Sequence, residues 1–557
     1  MTRYFALIVF GILSKLASAT RLEGCAVLPA GQGAAFGWPR YTGVEDELAF
    51  PIRRNITTLW DILHCRDPIS QSGGSSAITH SGRIVIRRRV PTRGCNPRAH
   101  ARLGSLAVNA VPAVGPDEFF VELSGTELHV LVGNHTGRCT HAFPYSVRVP
   151  GPYRLRVIRL YRGFDAVSEG IAGWAPVHFD DPLGNDTIVY IGDASAATKP
   201  GTVEVQRRAH AKLLSGAGLP RCASPESLAQ GRWVSTVPPD EALSPQPLPR
   251  QPGTLRRRAW PQPWYINITR LTWVPESCAR QRVAPAAARA CLANKRVLLQ
   301  GDSQTRFLFN ALIRSVYGAR DIVSKRQVAD CFVYNKSATG RICYRKDVLA
   351  SCPLADIAVR SSSDRAWIRA SLDGGPRALR RRRRHQYPSP SVTPAPALEC
   401  DKVHYPLPWD VAAFNVGHHA ASVVHWTLRQ YGAHVSNRLS QNARDLRHNS
   451  TLVWIAPQSS MPAWAAFRRH IRDVRTPPRM RAFDAVTRAH VVSRQSEAFL
   501  ATRGVTPPAV TIRHLDAYTP SVGVACTAPD GNHITHADFH AVLIEQLLMI
   551  ACPSASA

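Results

Sequence analysis

Four runs with period-two alternation begin at Phe119: Phe119-Phe-Val-Glu-Leu123, Glu127-Leu-His-Val-Leu-Val132, Tyr145-Ser-Val-Arg-Val149 and Tyr153-Arg-Leu-Arg-Val157. Glycine, asparagine or proline turns separate them. Successive strand residues point to opposite faces, so these runs predict strands of an antiparallel sandwich with one wetter face. From Lys295 the rhythm changes. Apolar strand runs at 297–300, 410–414, 451–455 and 509–512 alternate with helical stretches that end before Gly318 or cover 420–446, 481–502 and 537–551. That alternation predicts a parallel sheet covered by helices, with ligands bound beyond the carboxyl ends of its strands.

The stretches around this pattern set the expected domain map. Residues 1–19 carry Arg3, a nine-residue apolar run over 5–13 and Ala17-Ser18-Ala19, the charge, length and small-residue exit of a secretory signal peptide. Residues 20–197 read as a β-rich N-terminal domain whose sandwich, about 117–191, is expected to be separable. Residues 198–262 are rich in proline and arginine and read as a linker that carries Cys222, Gly231-Arg-Trp233 and Trp260. The C-terminal α/β domain is expected over 263–557, interrupted at 360–397 by a polybasic, proline-rich insert that reads as a disordered surface loop. No segment after the signal reaches the length of about 20 apolar residues that a membrane span requires.

Composition adds a compartment. Thirteen cysteines lie beyond the signal without Cys-x-x-Cys spacing, which favours disulfides over zinc and leaves at least one cysteine free or intermolecular. Cys278 with Cys291 is one candidate pair. Six Asn-x-Ser/Thr sequons, at Asn55, Asn134, Asn185, Asn267, Asn335 and Asn449, agree with a lumenal (ER/Golgi) or extracellular location. The formal charge is +30, and of 69 basic residues all but 8 are arginine. A secreted chain does not meet nucleic acid in its ordinary life, so the excess fits a glycan acceptor, including an acidic one, or an anionic surface.

The candidate chemistry sits on the strand edges. Gly301-Asp302-Ser303 forms a turn between the 297–300 strand and the following helix, where a serine hydroxyl projects from the sheet and its backbone N–H lies at a helix N-terminus. Asp302 and Ser303 could equally be helix caps. Asp530-Gly531-Asn532-His533 precedes the last helix, an Asp-x-x-His arrangement in which Asp530 would orient His533 as a general base. Asn415 ends the 410–414 strand, where its side-chain N–H would complete an oxyanion hole with the Ser303 N–H. His418-His419 and the His536/His540 pair are metal-ligand types, but no third ligand accompanies them and no metal is assigned.

Taken in order, Gly301-Asp302-Ser303-x-x-Arg306, Phe414-Asn415-x-Gly417-His418 and Asp530-Gly531-x-His533 resemble the PC-esterase branch of the SGNH/GDSL hydrolases. That branch includes the plant trichome-birefringence-like and the neurexophilin-and-PC-esterase proteins. Cys222, Gly231-x-Trp233 and Trp273-x-Pro275-x-x-Cys278 are similar to it as well, so the resemblance covers roughly Cys222 to Cys552. It implies fold class α/β: a three-layer SGNH-hydrolase-like domain in the C-terminal half, here preceded by the sandwich-like β domain. It also implies an O-acyltransferase or acyl esterase acting on carbohydrate, with Ser303 as nucleophile, His533 as base, Asp530 as its partner and Asn415 as oxyanion donor. Arg306, Gly417 and His418 complete the same blocks and are candidate substrate-binding residues. No bound cofactor is expected, only an acetyl donor as co-substrate. His419-Ala420 stands where plant members tend to carry tryptophan, which separates the acceptor site from theirs.

Overall fold

The computed structural model describes residues 25–28, 60–67, 79–89, 117–162, 187–192, 201–242, 270–318, 329–333, 341–346, 409–415, 417–422, 426–446, 449–460, 475–495, 510–525, 528 and 533–553. The signal segment, the 360–397 insert and Asp530 lie outside the described residues.

The N-terminal strands are β1 (Cys25–Val27), β2 (Trp60–Arg66), β3 (His80–Arg88), β4 (Asp117–Ser124), β5 (Glu127–Leu131), β6 (Asn134–Gly137), β7 (Thr140–Val147), β8 (Gly151–Arg162) and β9 (Thr187–Ile191). The chain continues through α1 (Thr202–Ser215), α2 (Pro225–Ala229), β10 (Gly231–Ser235), α3 (Pro239–Ala242) and β11 (Leu271–Pro275). One sheet has the order β1-β2-β3-β7-β6 and the other β11-β10-β5-β4-β8-β9. Every pairing in both is antiparallel. Ile62, Ile84 and Phe143 of the first sheet meet Val121, Leu123 and Leu155 of the second in a shared apolar core. This is the face-to-face packing that the alternation predicts.

The linker reading needs correction. The described part of 198–262 is ordered: it holds α1, α2, α3 and β10, and β10 pairs with β5 and β11 inside the second sheet. Its glycines and prolines are punctuation. Gly201 and Gly216 flank α1 with φ of 87° and 60°, and Pro225 opens α2 behind the capping residue Ser224. Such residues stop and start helices as readily as they mark a flexible chain.

The sandwich is also not a separate bead. β4 is buried along its whole length. Its Phe120, together with Leu128, Ile158, Trp233 and Trp273, belongs to the same core as the C-terminal helices. The second sheet thus has two covered faces, one toward the first sheet and one toward the C-terminal unit, and the boundary expected at residue 198 cuts through it.

That unit contains α4 (Pro285–Leu292), β12 (Arg296–Gly301), α5 (Ser303–Tyr317), β13 (Ala329–Val333), β14 (Arg341–Lys346), β15 (Val411–Asn415), α6 (Gly417–Ser422), α7 (Leu428–Asp445), β16 (Thr451–Ile455), α8 (Pro477–Gln495), β17 (Thr511–Leu515), α9 (Tyr518–Val522) and α10 (Ala537–Ala551). Its sheet order is β13-β14-β12-β15-β16-β17; β14 to β17 and β12 run parallel, and β13 is an antiparallel edge. Both alternating sides of β12, β15 and β16 are buried, as a parallel sheet covered by helices requires. From β12 the chain moves to β14 on one side and then to β15 on the other. The carboxyl end of β12 is therefore a topological switch point, where open α/β sheets bind ligands.

Disulfides tie these parts together. Cys25 pairs with Cys65, Cys222 with Cys278, and Cys291 with Cys552, which corrects the expected Cys278–Cys291 pair. Backbone bonds from Cys222 N to the Ala279 carbonyl (3.2 Å) and from Ala279 N to the Pro220 carbonyl (2.7 Å) hold Cys222 beside Cys278. α4 carries Cys291 away to the end of α10. Among the described residues no helix is long and apolar enough to cross a membrane.

Glu127, at the head of β5, fixes the second sheet to its turn. Its buried carboxylate accepts from Arg148 N (2.6 Å), Val149 N (2.8 Å) and Arg232 Nη1 (2.8 Å), and pairs with His129 Nε2 at 3.1 Å. Burial would raise its pKa. The His129 and Arg232 bonds and charges outweigh burial and hold it at about 2, below the ordinary 4.5. A folded pKa below the unfolded one gives stability that is present above pH 4.5 and lost as pH falls toward 2. Glu127→Gln is expected to cost about 3 kcal/mol at neutral pH and to flatten this acid limb. Urea unfolding across the acid range measures both effects.

Candidate active site

β12 delivers the chain to the site. Its apolar run Val297-Leu-Leu299 is buried, and Gly301 then lies so close to the Asn415 carbonyl and the Thr305 side chain that a Cβ there would overlap them. Only glycine fits that turn. Asp302 is the N-cap of α5, with its carboxylate accepting from Gln304 N at 2.9 Å. The capping reading therefore belongs to Asp302, and Ser303 becomes the first helical residue. Its hydroxyl lies 2.6 Å from His533 Nε2, joining residues 230 apart in sequence. With the ring proton on Nδ1, the hydroxyl donates to Nε2.

Asn415 stands beside this pair because β12 and β15 are parallel neighbours in a register that aligns Gly301 with Asn415. The Asn415 side chain is buried. Its Oδ1 accepts from Gly417 N at 3.1 Å and its Nδ2 donates to the Ala456 carbonyl at 3.4 Å, which fixes which end of the amide is which. Gly417 packs against Pro457, where a Cβ would overlap the ring, and opens α6. His418 is buried on α6. Arg306, one turn into α5, is also buried, with its guanidinium carbon 5.5 Å from the centre of the Phe307 ring. Arg306 and His418 are thus both buried side chains. Asp530, expected to orient His533, is outside the described residues.

His533 sits beside residues that anchor the following helix. Three residues beyond His533, His536 caps α10 by accepting from Phe539 N at 3.4 Å, and its ring meets Trp233 edge-on at 4.8 Å. Trp233 Nε1 donates to the Pro520 carbonyl at 2.8 Å. In the first turn of α10, Asp538 accepts from Trp273 N (2.8 Å), Thr272 Oγ1 (3.0 Å) and Arg280 Nη1 (2.7 Å). The tryptophan landmarks therefore anchor the helix that follows His533. Charge shows the cost of that burial: Asp538 would be raised by desolvation, but Arg280 lowers it, whereas at Glu545 burial wins and its pKa is raised.

Sequence reasoning brought together Ser303, His533 and Asn415, and the fold places the described members of that set on one edge. It missed Phe307 and the ring contact that His540 makes with it. Phe307 faces His533 at 5.1 Å between ring centres, and His540 stacks on Phe307 at 6.5 Å with planes 5° apart. The i, i+4 relation of Ser303 to Phe307 was the available signal. Comparison of the chain with protein-family models, with curated proteins and with solved structures returns no match.

Proposed function

We propose that this chain is a carbohydrate O-acetyltransferase of the secretory pathway, built on an SGNH-type α/β unit and working through an acyl-serine intermediate. The observation that carries the reading is the 2.6 Å bond between Ser303 Oγ and His533 Nε2 at the carboxyl end of a parallel-sheet strand. Ser303 Oγ attacks the ester carbonyl of an acetyl donor while His533 Nε2 takes the hydroxyl proton. The tetrahedral oxyanion is met by the Ser303 backbone N–H at the head of α5 and by the second Asn415 Nδ2 proton. Collapse expels the donor's leaving group with the proton from His533. An acceptor sugar hydroxyl then passes its proton to His533 and attacks the acyl carbon, and Ser303 leaves with that proton. Asp530 is assigned to hold the His533 ring in the required tautomer.

The three disulfides between described residues support a lumenal or extracellular setting, and the +30 charge supports a polymeric or acidic acceptor. Transfer and hydrolysis share the acyl-enzyme and differ in what attacks it. A bound sugar hydroxyl can reach an effective concentration of about 10⁵ M or more, well above that of water. Purified protein incubated with an acetyl ester or thioester and a panel of cell-surface glycans is expected to yield acetylated glycan by mass spectrometry. Acetate released at one rate with and without every glycan would make it an esterase. Neither product with any donor would leave a binding protein on a hydrolase scaffold.

A further inference from the structure

The helix that carries the nucleophile also carries the surface against which the base rests. Phe307 follows Ser303 by four residues on α5, one turn on, so both side chains project from the same face of a rigid helix. The Phe307 ring lies 5.1 Å from the His533 ring with planes 34° apart. On α10, His540 covers the same ring at 6.5 Å and 5°, and the Arg306 guanidinium closes in at 5.5 Å. His540 is buried, and burial, with the neighbouring His536 and Arg314 charges, pushes its pKa down to about 4. It is therefore a neutral ring in the physiological range, without charge repulsion toward an imidazolium at His533.

We infer that Phe307 is a positioning residue for His533: its ring fixes the imidazole plane so that Nε2 faces Ser303 Oγ, setting the nucleophile–base distance from a single helix. This deepens the acyl-serine reading of the site and rests on it. An aromatic face also suits a ring that becomes cationic when it takes the serine proton. A ring acting only as filler would be replaced by any apolar side chain of similar volume. A flat support would not.

The test compares Phe307→Ala, Phe307→Leu and Phe307→Tyr in the full chain, with acetyl-ester turnover and a crystal structure of each. The expected result is a kcat about 10- to 100-fold lower for the alanine and leucine variants, since misplacement on the ångström scale costs that much. KM should stay within about twofold and the tyrosine variant should recover most of kcat. In the crystals His533 should turn away from Ser303 in the first two variants and remain in place in the third. Full activity of Phe307→Leu, an equal loss in all three, or an intact Ser303–His533 bond in Phe307→Ala would each overturn the assignment. If Ser303→Ala keeps the turnover, the acyl-serine reading fails, while the crystallographic comparison still decides whether Phe307 holds His533.

Discussion

Replacing Ser303 with alanine will lower acyl-ester turnover by about 10⁴-fold or more, the scale on which loss of a nucleophile in a serine–histidine pair is felt. The protein will still fold and be exported. The reason lies in the division of labour at the head of α5. Asp302 caps the helix through Gln304 N, so removing the Ser303 hydroxyl leaves the cap intact. Alanine is also a better helix former than serine in a first turn. What the substitution takes away is the hydrogen bond to His533 Nε2. Asp302→Ala would show the opposite pattern, losing about 1 kcal/mol or more of stability through the cap and affecting turnover by way of the helix. The paired measurement is initial rate on an acetyl ester and the thermal midpoint of each variant. A Ser303→Ala protein that turns over ester at the wild-type rate would remove Ser303 from the mechanism.

Much of the C-terminal architecture was legible because a covered parallel sheet writes itself as short apolar runs. Thr451–Ile455 lies where its run predicts it, and β12, β15 and β17 begin within two residues of theirs. The Gly301-Asp302-Ser303 turn was legible for a similar reason: a buried strand, one glycine and a capping aspartate leave few other geometries. β13 and β14 were not, since Ala329-Asp-Cys-Phe-Val333 and Arg341-Ile-Cys-Tyr-Arg-Lys346 have neither a long apolar run nor clean alternation. The 198–262 stretch misled because its proline and arginine content was read as a linker between domains, whereas Pro225, with Gly201 and Gly216, is helix punctuation. Cysteine partners depend on which strands meet, so spacing alone could not rank Cys222 above Cys291 as the partner of Cys278. The contact of Phe307 with His533 was legible only in part for the same reason: the i, i+4 relation puts Phe307 on the Ser303 face of α5, but the contact needs α5 and α10 to pack together, and no local pattern encodes that packing.

Arg280→Leu is expected to be the most damaging single change outside the site, costing about 3–5 kcal/mol at neutral pH. Arg280 clasps Glu545 through Nε (2.6 Å) and Nη2 (3.2 Å) and reaches Asp538 through Nη1 (2.7 Å). All three side chains are at most 10% exposed, so the leucine would strand two carboxylates inside the fold. Arg282 still reaches Asp538 at 3.0 Å but is itself exposed, and an exposed partner compensates little. The two acids then part company. Asp538 keeps its bonds from Trp273 N and Thr272 Oγ1 and stays ionised. Glu545 is already raised above its ordinary 4.5, by burial first, and it loses the bonds and charge that were pulling it down. A carboxyl whose folded pKa lies above the unfolded one binds more protons when folded, so stability falls as pH rises through that window and recovers as pH drops toward 4.5. The variant should therefore be least stable in alkaline buffer and partly rescued in mild acid, and Glu545→Gln in the same background should remove that pH dependence. Because Asp538 lies in the first turn of the helix that follows His533, turnover should fall with stability. Urea midpoints of the three proteins at mildly acidic and mildly alkaline pH decide it: a loss under about 1 kcal/mol, or one independent of pH, would mean that the buried carboxylates find other partners.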